Sequence, residues 1–241
     1  MSQLDLSLAA GVSTRHISFL ETGRSRPSVE MVSLFGEVLD VPLRSRNDLM
    51  RAAGFEPSYP EPTIEELLAS PLRGAIDALL EHADPFPILV LDRWYGVVLT
   101  NRGGRKLLKL AGINTQTDEQ VNLLKILFDP SRRQVFTNWE QLAGQVLRRL
   151  QRLALRDPSD EQLAALLAEL LDTPGLPKNW RAPDLSERSD PMMSIEIQVN
   201  GVRLRFLITI TVFAAPDNVT LEELLIESYL PLDQDTREFF T

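Results

Sequence analysis

Four residues near the start of the chain have side chains that could read the edges of DNA bases. Arg15 carries a planar fork of donors that matches the two acceptors guanine shows in the major groove. The hydroxyls of Thr14 and Ser18 can serve any base, and Phe19 could touch a thymine methyl. Arg24 and Arg26 follow shortly after. With Arg15 they are the cations available for phosphate. Each side chain also has a plainer use as the polar coat of a small helical bundle, and Phe19 could pack against its own protein.

The surrounding residues predict the elements that would hold these groups. Ser2 can N-cap a helix from Gln3 to about Ala10, and Gly11 supplies a turn at positive φ. Ser13 can cap a second helix to about Thr22, which Gly23 stops. Leu6, Ala10, Val12, Ile17 and Leu20 fall where two such helices need apolar contacts. Two short helices joined at a glycine are the signature of a helix-turn-helix. In that motif the second helix enters the major groove and its N-terminal residues meet the bases. Gln3, at a helix N-terminus, is placed to favour an anion.

The apolar spacing predicts further helices from Val29 to Leu39 and from Pro42 to about Ala53. Pro57, Pro60 and Pro62 make 57–63 an extended linker. The chain thus divides into a helical domain over 1–56, the linker over 57–63, and a second domain over 64–241. The second domain opens with a helix from about Ile64 to His82, interrupted near Pro71. A hairpin follows, with strands at Ile88–Leu91 and Val97–Leu99. Helices then dominate from about Arg102 to Leu171. Asn138 is placed to N-cap one of them, and Ser159 with Gln162 fits a capping box for another. Residues 172–191 are rich in proline and charge and read as irregular. Strict alternation from Ile195 to Val212, broken by Asn200-Gly201, predicts a second hairpin with a type I′ turn. A fifth strand near Leu224–Tyr229 and a short helix from Thr236 to Phe240 complete the chain. The fold class is α+β: an all-α N-terminal domain, then an antiparallel sheet packed with helices.

The first segment resembles the helix-turn-helix of Cro/repressor-type (XRE-like) bacterial regulators. Gln3, Gly11, Ile17, Leu20, the run Glu21-Thr22-Gly23-Arg24 and Pro27-Ser28 carry the match, and Ser7 stands where the family prefers alanine. The resemblance implies phosphate contacts from Gln3, Ser13, His16, Arg24 and Arg26. It also implies a further helix before Gln3: either the true start lies upstream of Met1, or the domain lacks its first helix and would bind DNA more weakly. The whole chain resembles the MmyB-like regulators. HISFLETGR, AAGFEPSY (52–59), DPFPILVLDRWYGVVLTN (84–101), NLLKILFDP (122–130), NWEQLA (138–143) and ELLIESYLPLD (223–233) carry this match in order. It implies a PAS-like second domain that holds a lipophilic ligand, such as a fatty acid, between sheet and helices. Candidate walls are Leu89, Leu91, Val97, Leu127, Phe128, Phe136, Trp139, Val146, Phe206, Ile208 and Ile210, all of which could equally be plain core. Asn101, Asn138 and Arg205 flank the apolar runs and are candidates for orienting such a ligand.

The net charge of −9 argues against DNA binding until its distribution is considered. Residues 1–60 hold six Lys/Arg against seven Asp/Glu, a balance of −1, so the acidic excess lies in the second domain. Three arginines are a thin footprint, and a homodimer on operator DNA would double the phosphate contacts. There is no cysteine, hence no disulfide or thiolate site. No apolar run suggests a membrane span or a signal peptide, which points to the cytoplasm. Nothing resembles a nucleophile elbow, a Walker loop or a metal-spaced histidine pair, so an enzyme is not expected. His16 and His82 are the only histidines, and Gly103-Gly104 lacks the remaining glycines of a dinucleotide loop. These features describe a transcription regulator that senses a lipophilic molecule. The alternative is a regulator whose second domain only dimerises or binds another protein.

Overall fold

The computed structural model describes residues 1–113, 120–181, 193–214 and 216–241. Of the proline- and charge-rich stretch, 172–181 are turns and bends, and what was read beyond them lies outside the described residues. The elements run α1 (Gln3–Ala10), α2 (Thr14–Glu21), α3 (Val29–Val38), α4 (Leu43–Ala53), α5 (Ile64–Leu68) and α6 (Leu72–Ala83). They continue as β1 (Ile88–Leu91), β2 (Val97–Thr100), α7 (Arg102–Leu110), α8 (Leu123–Phe128), α9 (Trp139–Arg156) and α10 (Glu161–Leu171). The last elements are β3 (Ser194–Val199), β4 (Val202–Thr211), α11 (Val219–Glu223), β5 (Leu225–Pro231) and α12 (Gln234–Phe240). Two compact units result: Met1–Thr63 with Ala214–Glu222, and Ile64–Phe213 with Glu223–Thr241.

In the first unit the ends of α1 and α2 are chemically specified. Ser2 and Asp5 form a reciprocal capping box, with the Asp5 amide donating to Ser2 Oγ at 3.1 Å and the Ser2 amide to Asp5 Oδ2 at 2.9 Å. Ser13 Oγ accepts the His16 amide at 3.2 Å. Gly11, at φ 65°, ends α1 in the left-handed region where a side chain would be strained. Ile17, Val32, Leu43 and Met50 form the buried centre of this unit, whereas Leu4 and Leu8 are exposed.

Residues 57–63 form neither helix nor strand, with bends at Ser58 and Tyr59, and they are fastened to α4. Asn47 is fully buried. Its Nδ2 donates to Tyr59 O at 2.8 Å and Glu61 Oε1 at 2.7 Å, and its Oδ1 accepts the Ser58 and Tyr59 amides at 3.1 and 3.0 Å. The segment read as a linker is therefore part of the first unit. So is 214–222, which the sequence reading placed in the second domain. The Leu43 amide donates to Glu222 Oε2 at 2.8 Å, satisfying the start of α4, where Pro42 offers no side-chain cap. The Val219 amide donates to Pro60 O at 3.0 Å.

The second unit is built on one antiparallel sheet in the order β2-β1-β5-β4-β3. Each hairpin forms locally, and β5 closes the sheet by pairing with β1 on one side and β4 on the other. Asn200 and Gly201 both have positive φ (52° and 80°), which a type I′ turn demands. In this register Leu89, Glu227 and Ile210 lie side by side across three strands. Inward residues of β4 and β3 alternate as Leu204, Phe206, Ile208 and as Ile195, Ile197, and helices cover this face.

Two sequence expectations fail here for identifiable reasons. Asn138 makes no side-chain cap on α9. Its amide instead bonds β3, with Nδ2 donating to Ser194 O and Oδ1 accepting the Glu196 amide, both at 3.0 Å, because the strand offers these backbone groups alongside. Ser159 does not cap α10. Asp160 does, accepting the Leu163 amide at 2.9 Å, while Ser159 Oγ donates to Asp157. Gly103 and Gly104 serve close packing: a Cβ on Gly103 would lie 2.2 Å from Pro85 O, and one on Gly104 1.9 Å from Thr100 Oγ1.

Candidate functional site

In the first unit, the N-terminal half of α2 carries Thr14, Arg15 and Ser18. Thr14 and Arg15 are exposed, as are Gln3, Ser13, Arg24 and Arg26, while His16, Ser18 and Phe19 are half-buried. The Arg15 guanidinium carbon sits 5.2 Å from the centre of the Phe19 ring, and that of Arg24 sits 5.9 Å from it. Phe19 thus props two cations on one face, a favourable arrangement for guanidinium over an aromatic ring. Gln3 does not point freely outward, because its Nε2 donates to Glu21 on α2.

In the second unit, a cavity of about 740 Å³, mouth included, opens between the sheet and the helices. Its floor is Ile195 and Ile197 of β3, Ile208 and Ile210 of β4, and Glu227 and Tyr229 of β5. Its roof includes Leu107 and Leu108 of α7, Leu124 and Leu127 of α8, and Leu142, Val146 and Arg149 of α9. The three α9 residues are spaced one and two turns apart, so they share a face. Phe136 and Met193 also line it, and Tyr95 lines it from the β1–β2 turn.

The polar groups are few and gather together. Glu227 is fully buried, and the loss of hydration pushes its carboxyl up to about 7, with Arg149 pulling the other way. Tyr229 Oη lies 3.4 Å from Glu227 Oε2 and donates to it. Burial raises both Tyr229 and Tyr95 above the usual phenol range. The Arg149 guanidinium carbon lies 6.0 Å from the centre of the Tyr95 ring. The arrangement is an apolar chamber with one polar pole, the layout expected for holding and orienting a small lipophilic molecule.

Comparison with known families agrees with both halves. A helix-turn-helix model matches residues 1–45, and the model described as MmyB-like transcription regulator ligand binding domain matches residues 72–241. The chain belongs to the MmyB-like transcription regulators. It is a DNA-binding transcription regulator with a ligand-binding domain. No curated protein matches the chain.

Within this MmyB-like regulator, Leu127, Phe136, Val146, Ile208 and Ile210 line the cavity. Leu89, Leu91, Phe128, Trp139 and Phe206 are buried in the packed core around it, and Val97 is half-buried against that core. Trp139 is held there by a bond from Nε1 to Leu127 O at 2.8 Å and by edge packing on Phe128. The three polar candidates lie elsewhere. Asn101 caps α7 and ties it to β1, accepting the Gly104 amide at 2.8 Å and the Ile88 amide at 3.2 Å. Asn138 serves β3, and Arg205 pairs with Glu196 at the sheet's outer face. Sequence reasoning missed Arg149, Glu227, Tyr95 and Tyr229. Glu227 alternates with Leu225 and Tyr229, and Arg149 sits beside the Leu142–Val146 stripe, but a charge at such a position is ordinarily read as facing water.

Proposed function

We propose that this regulator binds operator DNA as a homodimer through α2 and changes its DNA affinity when the cavity takes up a small lipophilic molecule such as a fatty acid. The carrying observation is the cavity itself: an apolar chamber with its polar groups at one pole. Apolar walls favour an alkyl chain through burial of surface, at roughly 25 cal/mol per Å². The polar pole supplies direction. On the DNA side, Arg15 reads a base, Thr14 and Ser18 adjoin it, and Ser13, His16, Arg24 and Arg26 meet phosphate. Gln3, occupied by Glu21, contributes to phosphate binding only if it exchanges that partner. Ligand acts by shifting the population between DNA-competent and incompetent arrangements, which requires different affinity for the two. No catalytic step is required, and among the described residues no helix is long and apolar enough to cross a membrane. A cytoplasmic regulator fits these properties.

The test is to extract the purified protein and identify retained lipids by mass spectrometry, then to measure thermal shifts with a fatty-acid series. Retention or a chain-length-dependent shift is expected, and Val146→Phe, which intrudes from α9, should weaken both without unfolding the domain. A protein that retains nothing and ignores the whole series would favour a second domain used only for dimerisation or protein contact.

A further inference from the structure

The helix α9 buries one apolar side and leaves the other toward solvent. From Gln141 to Arg156 it holds four arginines and no aspartate or glutamate. Arg149 borders the cavity. Arg148, Arg152 and Arg156 follow one another at four-residue steps, so they share the outer face in a row about 12 Å long. Arg152 and Arg156 are exposed, Arg148 is half-buried, and Leu155 on the same face is 74% exposed. Arg148 Nη1 donates to Trp180 O at 2.8 Å, which brings Arg181 beside the row. Arg181 is exposed, and its guanidinium carbon lies 4.6 Å from the centre of the Trp180 ring. Arg152 makes no hydrogen bond or ion pair among the described residues.

Other surface arginines of this chain have an acid one turn away. Arg51 pairs with Asp48, Arg73 with Asp77, and Arg132 with Asp129. Arg148 and Arg152 have only arginine or uncharged residues three and four positions away. Like charges at that spacing repel, so the row does not stabilise its own helix. It also stands in a domain whose charge excess is acidic, so positive charge is gathered at one place. We propose that the outer face of α9, with Arg181, binds the phosphate backbone of duplex DNA without regard to sequence, as a second DNA-contacting surface apart from α2. All the cations of the row are arginines, whose planar forks match phosphate oxygens in pairs. They stand in line on a rigid helix at steps of about 6 Å, which suits a line of phosphates. A lipid surface needs an apolar face to enter, and that of α9 is buried, with Leu155 alone left outside. Duplex DNA is also the polyanion that a helix-turn-helix regulator meets.

The test uses the full chain, a duplex of about 30 base pairs of arbitrary sequence, and fluorescence anisotropy over a range of salt concentrations. Each phosphate contact contributes about 0.9 to the slope of log affinity against log salt. Arg152→Gln/Arg181→Gln should therefore lower the slope by about 1.8 and weaken binding several-fold at low salt. The same drop is expected in an Arg15→Ala/Arg24→Ala background, where α2 is impaired. Arg102→Gln/Lys109→Gln removes two exposed cations from α7 and should leave the slope as it is. Because the chain has no cysteine, Leu155→Cys accepts a single photocrosslinker with every arginine in place, and it should attach to the duplex. Equal slopes for wild type and Arg152→Gln/Arg181→Gln, the same drop in the α7 variant, or no crosslink from position 155 would overturn the proposal. So would binding to polyglutamate, or to vesicles of phosphatidylcholine and phosphatidylglycerol, that depends on Arg152 and Arg181 while DNA binding does not.

Discussion

Replacing Glu227 with glutamine should change how the second domain's stability depends on pH. In the unfolded chain the carboxyl titrates near 4.5, and in the folded protein burial raises it to about 7. Between those values the native state holds a proton that the unfolded state has released, so the wild type loses stability as pH rises through the window. A shift of this size corresponds to about 3 kcal/mol, at roughly 1.4 kcal/mol per unit. Glutamine does not titrate and is free of this penalty. The stability of Glu227→Gln relative to wild type should therefore rise by about 3 kcal/mol between pH 4.5 and 8, mostly below pH 7. Asp92, also raised by burial, works in the same direction but is common to both proteins and cancels in the difference. Urea unfolding followed by tryptophan fluorescence measures this, since Trp94, Trp139 and Trp180 all lie in the second unit. Parallel stability curves for the two proteins across the range, with equal denaturant slopes, would refute the reasoning and show that water reaches Glu227.

Other substitutions probe the remaining structure. Arg15→Ala should cost roughly 1–3 kcal/mol at one operator base, measured on a sequence selected from random DNA and its single-base variants. An equal loss on every sequence would make Arg15 a phosphate contact. Asn47→Ala leaves the Ser58 and Tyr59 amides without their acceptor and should cost about 2–4 kcal/mol in the first unit. Faster hydrogen exchange at those two amides is the local readout. Arg93 joins Asp157, Asp160 and Glu223, all largely buried. Arg93→Met leaves three carboxylates facing one another and should destabilise the second unit by about 3–5 kcal/mol at pH 7. Although burial raises it, bonds from Ser159 and Arg93 hold the Asp157 carboxyl below its usual 3.8, so the deficit should shrink as pH falls through that range. A deficit independent of pH would mean the lost side chain mattered for packing alone.

Much of the architecture was legible because it is written in local patterns. The helix-turn-helix follows from Ser2, Gly11, Ser13 and Gly23, whose roles depend on neighbours a turn away. The second hairpin follows from strict alternation around Asn200-Gly201. The caps at Asn138 and Ser159 were misread because a cap competes with whatever else folding brings near. For Asn138 that competitor was the backbone of β3, far along the chain. Glu227 and Arg149 are not legible in the sequence, because a charge in an amphipathic pattern ordinarily faces water and nothing local marks these two as facing inward.

The amino-acid order alone determined most of the helices, though not α11, and the two hairpins and the family to which the chain belongs, since periodicity, caps and turns act over a few residues. Tertiary structure decided the insertion of β5 between β1 and β4, and the return of 214–222 to cap α4. It decided which apolar residues line the chamber and which fill the core behind it. It also decided the protonation of Glu227, because a carboxyl's affinity for its proton depends on the water it has lost and the charges it faces, and only the folded chain sets those.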